Sequence, residues 1–120
     1  MDTPIIISES GAIDVFRSLH EAENYIEPID VKNNEYVIYD ASGRLLAANV
    51  VEQKKKRSSI IAGTSEQVVI SRTEEVPAHA EDVKRLLSEF LAQSEKNEQS
   101  VYDELNLKQL VERSLRYATS

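Results

Sequence analysis

Hydrophobic and polar positions run in short β-type segments through the first 70 residues and then change to a helical period. Pro4-Ile5-Ile6-Ile7 is a β-branched run bounded by Ser8-Glu9-Ser10-Gly11, and Ala12-Ile13-Asp14-Val15-Phe16 follows it. β-Branched residues favour strands and a Ser/Gly cluster favours a turn, so residues 4–16 are expected to form a hairpin. Ser18-Leu19-His20-Glu21 has the form of a capping box, in which the Ser hydroxyl takes an orphan amide and the Glu reaches back. A short helix is predicted from about Leu19 to Ile26, with Leu19, Ala22, Tyr25 and Ile26 inward. Pro28 is expected to end it, because the residue before proline disfavours the helical region.

Tyr36-Val37-Ile38-Tyr39-Asp40 has the strongest β-propensity in the chain, Ala41-Ser42-Gly43 offers a tight turn, and Arg44 to Val51 reads as the return strand. Large apolar groups on both faces predict a central hairpin with helices over at least one face. Ser59–Ala62 and Gln67–Ile70 flank Gly63-Thr64-Ser65-Glu66, which predicts a third hairpin, and Thr73 to Pro77 reads as a linker. From Ala80 to about Gln93 the period changes. Val83, Leu86, Leu87, Phe90 and Leu91 fall at i, i+3, i+4, i+7 and i+8, the stripe of a helix packed on a core. Leu107, Leu110, Val111, Leu115 and Ala118 repeat it. Val101 and Leu105 lie off that second stripe, so either the last helix starts near Asn106 or its first turns touch something else. The order ββα-ββ-ββ-αα predicts one α+β domain over residues 1–120. It would hold an antiparallel sheet of about five or six strands, with the C-terminal helices packed on one face.

Composition narrows the chemistry. The 120 residues include no cysteine, which removes disulfides, thiolate metal sites and thiol nucleophiles. With two histidines, a metal site would need mostly carboxylates. Hydrophobic residues make up 41% and charged residues 29%, a globular balance. No apolar run approaches the roughly 18 residues of a membrane span. The start, Met1-Asp2-Thr3-Pro4, lacks the basic region of a signal peptide, so a cytoplasmic location is expected. Net charge is −7, and its placement matters more than its size. Residues 1–40 hold nine acids against two bases; the middle third is net basic through Lys54-Lys55-Lys56-Arg57. An acidic face from residues 14–40 would repel nucleic acid and anionic membrane and speed encounter with a basic protein.

Catalytic motifs are missing. Gly11, Gly43 and Gly63 are too far apart for a phosphate loop, and there is no H-E-x-x-H or G-x-S-x-G. His20 beside Glu21 and Glu23, and His79 near Glu81 and Asp82, each lack a neighbouring nucleophile and read as surface or capping groups. Among many carboxylate pairs, Asp30 is the best constrained acid, since it lies between Ile29 and Val31, but an Asp bonded to a turn amide accounts for it. The basic block has no interleaved aromatic and reads as a solvated sheet edge kept from pairing by lysines. No catalytic, cofactor or metal-binding residue is assigned.

The segment Tyr25 to Leu46 carries Glu27-Pro28-Ile29-Asp30-Val31, Glu35-Tyr36, Tyr39-Asp40 and Gly43-Arg44. It resembles a stretch of small acidic bacterial immunity proteins, the cognate inhibitors encoded beside contact-dependent growth inhibition and other polymorphic toxins. The resemblance implies a non-enzymatic protein that binds and neutralises a toxin domain by occluding its active site or a nearby surface. The expected partner-binding residues are Glu27, Asp30, Glu35, Tyr36, Tyr39 and Asp40. Acids would steer a basic partner, and tyrosines would anchor it, because they bury much area at low entropy cost. Exposed members of Tyr25, Tyr36, Tyr39, Tyr102 and Tyr117 are the anchor candidates. No cofactor, nucleic acid or membrane is expected, and the chain would be a monomer or weak homodimer. Three rivals stand beside this: an adaptor that self-associates through an exposed Val101/Leu105 patch, a small carboxylate enzyme, and a nucleic-acid binder using residues 54–57.

Overall fold

In the computed structural model, which describes residues 1–54 and 64–119, the first hairpin forms as the sequence predicts. Ile5–Glu9 (β1) and Ala12–Phe16 (β2) pair antiparallel. Ser10 and Gly11 both take positive φ, 47° and 86°, as a two-residue type I′ hairpin turn requires. Tyr36–Tyr39 (β3), Leu45–Lys54 (β4) and Thr64–Arg72 (β5) complete an antiparallel sheet in the order β2-β1-β3-β4-β5. The fold is α+β.

Alternation along β1 divides the core. Ile5 and Ile7 face one way with Phe16, Ile38, Leu46, Val68 and Ile70, and this layer closes over Ala22 and Ile26. Those two come from Leu19–Tyr25 (α1) and its C-cap, and Val31 of Pro28–Lys32 (α2) packs beside them. Ile6 faces the other way with Ile13, Val15 and Tyr39, under the predicted stripe of Ala80–Glu95 (α3). Tyr102, from a 3-10 turn over Gln99–Tyr102, and Leu110 of Leu107–Ser114 (α4) finish that layer. The C-terminal helices therefore share one face, and α1 with α2 cover the other.

Three details depart from the sequence reading. Pro28 does not only end α1; it stands at the first position of α2, where the missing amide costs nothing. The partner of residues 67–70 is 48–51 of β4, because β4 runs on to Lys54. The expected strand Ser59–Ala62 lies outside the described residues. Leu105 packs against the core, so it forms no patch with the exposed Val101. Of the two readings of the last helix, the start near Asn106 holds: Asn106 caps it and exchanges bonds with Gln109 at 2.9 and 3.0 Å.

The β3–β4 turn is fixed by Asp40 and Gly43. The Asp40 carboxylate accepts from the amides of Ser42 and Arg44 at 3.0 and 2.9 Å, from Ser42 Oγ at 2.8 Å and from the Arg44 guanidinium at 3.3 Å. Gly43 has φ +97°, and a Cβ there would lie 2.6 Å from the Ala80 nitrogen. Its carbonyl accepts the His79 amide at 2.8 Å, so the turn sits directly on the start of α3. With α3 seated this way, Leu87 is fully buried. Leu87→Ala is expected to cost about 2–5 kcal/mol, the range for a core leucine. Denaturant unfolding measures it, and an unchanged midpoint would show that α3 does not pack on the sheet.

Candidate functional site

The turn from α2 into β3 gathers carboxylates. Glu27 stands at the N-cap of α2 and Asp30 in its first turn. The chain reverses through Asn33 and Asn34, the latter at φ 55°, and the Glu35 amide bonds back to the Asp30 carbonyl at 3.1 Å. Tyr36 then enters β3 and donates its hydroxyl to Asp30 Oδ2 at 3.1 Å. Pairing of β1 with β3 sets Glu9 opposite Tyr36. Next to it, Tyr25 of α1 lays its ring against Phe16, with centroids 5.0 Å apart, and donates to Asp14 Oδ2 at 3.2 Å. One end of the sheet thus presents Glu9, Asp14, Glu27, Asp30 and Glu35 around Tyr25 and Tyr36.

The electrostatics agree with this crowding. Glu35 is held above the usual carboxylate range, first by its hydrogen bond with Asp30 and then by the Asp30 charge, with Glu9 adding to it. The Tyr36 hydroxyl is pushed up chiefly by burial, then by Asp30 and Glu9, against a lowering contact with the Glu27 backbone. Tyr25 is raised first by the charge of Asp14 and further by burial, Glu9 and Glu27. Lys32, the one cation on α2, binds Glu66 on β5 at 2.5 Å.

Four of the six expected contact residues, Glu27, Asp30, Glu35 and Tyr36, meet at this end. Tyr39 and Asp40 do not, and their assignment is corrected. Tyr39 is 8% exposed at the far end of β3, turned toward α3 with its ring 5.8 Å from that of His79. Asp40 is 0% exposed. Burial pushes its carboxyl up, but the bonds from Arg44, Ser42 and Asp2 outweigh burial and hold it below the ordinary range. Both residues are consumed by the fold. Glu9 and Asp14 were missed because only the β1–β3 pairing and the α1 packing bring them here. Tyr25, 45% exposed, meets the requirement for an anchor. Tyr117, 38% exposed, meets it as well, away from this end, where it donates to Glu95 at 2.7 Å, and Tyr102 is buried.

The two histidines lie elsewhere. His20 pairs with Asn24 at 3.1 Å, and His79 lies 3.3 Å from both Glu74 and Asp82 at the start of α3. Among the described residues, no three His, Asp or Glu side chains are placed to hold a metal ion. No helix among them is long and apolar enough to cross a membrane. Lys55-Lys56-Arg57 lie outside the described residues. Glu95 contrasts with the acidic end. It accepts from Arg113 Nη2 at 2.9 Å, Tyr102 at 2.5 Å and Tyr117 at 2.7 Å. These bonds, Arg113 first, pull its carboxyl down to about 2.

Comparisons with protein-family models, with curated proteins and with solved structures give no match.

Two titrations separate the carboxylate classes. Carbon-detected NMR should find Glu35 titrating above the ordinary glutamate range, and Asp30→Asn should return it downward; an unmoved Glu35 would show that the two do not interact. Glu95 has a folded pKa of about 2 against an ordinary 4.5. Its contribution is therefore present above pH 4.5 and lost as pH falls from 4.5 toward 2. Glu95→Gln is expected to lose about 1–3 kcal/mol at neutral pH, the scale of charge-assisted hydrogen bonds. Denaturant melts between neutral pH and pH 3 should show the deficit shrinking as pH falls.

Proposed function

We propose that this protein is a cytoplasmic, non-enzymatic inhibitor that binds one basic protein, a toxin domain, and occludes its active site or an adjacent surface. The observation that carries this is the acidic end of the sheet, where five carboxylates surround an exposed Tyr25 and a part-buried Tyr36. Glu35 is raised there by its hydrogen bond with Asp30 and then by the charges of Asp30 and Glu9. A protein cation would offset those charges. Rim charges of this kind act mainly on the rate of encounter, and amphipathic tyrosines supply area once the partner arrives. The resemblance of residues 25–46 to immunity proteins supports the same reading. The adaptor alternative would use Val101, which is 56% exposed, but Leu105 is engaged with the core and leaves that patch small.

The test is the binding kinetics of the full chain against the polypeptide encoded immediately upstream of its gene. Raising salt from low to physiological should slow association several-fold and change dissociation little. Asp30→Lys and Glu35→Lys should each slow association. Reversal of Lys54–Arg57 should leave it unchanged or faster. A partner that ignores Asp30 and Glu35 but requires residues 54–57 would remove the acidic-end mechanism.

A further inference from the structure

Each outer strand of the sheet receives a described bond on its free side, and among the described residues the inner edge of one long strand receives none past its first residues. On β2, the Val15 carbonyl accepts the Thr119 amide at 2.7 Å. On β5, the Ile70 amide donates to Glu23 Oε2 of α1 at 2.7 Å. β4 is different. β3 pairs with it only at Leu45 and Leu46, whereas β5 follows it to Lys54. Beyond Leu46, no bond between described residues reaches its β3-side edge.

The register identifies the groups on that edge. Ile70 spends its amide on Glu23, away from β4, so Ala48 and Ile70 form a non-hydrogen-bonded pair. In such a pair both residues turn their N–H and C=O outward. Ala48 therefore points away from β5, and by the two-residue alternation so do Val50 and Glu52. The same alternation turns Leu46 toward β3, where it pairs with Ile38. Where β3 and β4 part, a cleft of about 170 Å³ opens, lined by Val31, Asn34, Tyr36, Ile38, Ala47 and Ala48. Tyr36 is also the residue whose hydroxyl binds Asp30, so the cleft borders the acidic end through that tyrosine.

We infer that β4 accepts an extended segment of a basic protein as an added strand, which pairs with Ala48, Val50 and Glu52 and sets a lysine or arginine against Asp30 and Glu35. This rests on the proposal above that the acidic end receives a basic partner, and it adds how the partner docks. Main-chain bonds give affinity in strand addition, and the sites that receive alternate side chains give selectivity. Charge decides the occupant. A second copy would bring another −7 to the same edge, whereas a cationic strand neutralises the carboxylates it meets.

The probe is a capped heptapeptide, Lys-Thr-Lys-Val-Lys-Thr-Lys, beside the same peptide with every internal amide N-methylated, each added to the full chain. The expected result is slowed amide hydrogen exchange at Ala48, Val50 and Glu52, and at least tenfold weaker binding of the methylated peptide at equal charge. Equal binding of both peptides, with shifts confined to Glu27, Asp30 and Glu35, would overturn strand addition and leave the acidic-end reading standing. No binding of either would overturn both. Sedimentation of the chain alone completes the test. A dimer that already protects Ala48, Val50 and Glu52 would assign the edge to a second copy and overturn the inference.

Discussion

The architecture follows from burying β1 on both faces. Ile5, Ile6 and Ile7 are each at most 1% exposed, although successive side chains on a strand point to opposite sides. A strand that is apolar all round cannot sit at a one-sided sheet, so a helical layer is needed above and below it. The chain supplies them in order. α1 and α2 follow the first hairpin and close over Ile5 and Ile7, and α3 with α4 return at the end to close over Ile6. β1 can only be central if it is flanked, and β2 and β3 flank it. The long β4–β5 ribbon carries no equivalent demand, and its far half is less covered: Val51 and Val69 are exposed.

Seating the second layer depends on a turn that buries a charge. Asp40 survives full burial because every bond it makes stabilises the carboxylate, and Arg44 supplies the opposite charge. An isolated carboxylate there would cost several kcal/mol. Once the turn is fixed, Gly43 can approach the α3 backbone more closely than any side chain would allow. Glu95 does the same work at the other end of α3, where Arg113, Tyr102 and Tyr117 converge on it and join α4 and the chain end to the helix.

Short-range signals in the sequence were read well because they are local physics. The Ser18 cap, a turn within Ser8–Gly11, the α3 stripe and the start of α4 at Asn106 each depend on residues within four positions. Pro28 was read as a stop because the clash with Glu27 is as local as the permission to begin a helix, and only packing of Val31 favours the second. The partner of residues 67–70 was misplaced for a different reason: strand register is a long-range choice, and 59–62 and 48–51 are both apolar enough to serve. The candidate surface was half legible. Glu27 to Tyr36 are contiguous in sequence and in space, but β3 is straight and carries Tyr39 and Asp40 to its other end. Glu9 and Asp14 arrive only through strand pairing and helix packing.

The carboxylates then divide by what balances them. Asp40 and Glu95 have lowered pKa values because cations and hydroxyls were built around them, and their charges stabilise the fold. At the acidic end the sign is opposite. Glu35 is raised by its neighbours, and Lys32, close in sequence, is bonded to Glu66 instead of to Asp30 or Glu35. Folding brings Glu9 beside Tyr36 and Asp14 beside Tyr25, so the native state creates repulsion that a disordered chain would not have. Stability alone does not account for collecting like charges around two tyrosines at the mouth of an unpaired strand edge. The proposed exchange of that repulsion for attraction to a cationic partner would account for it, because each such carboxylate is one that partner would neutralise.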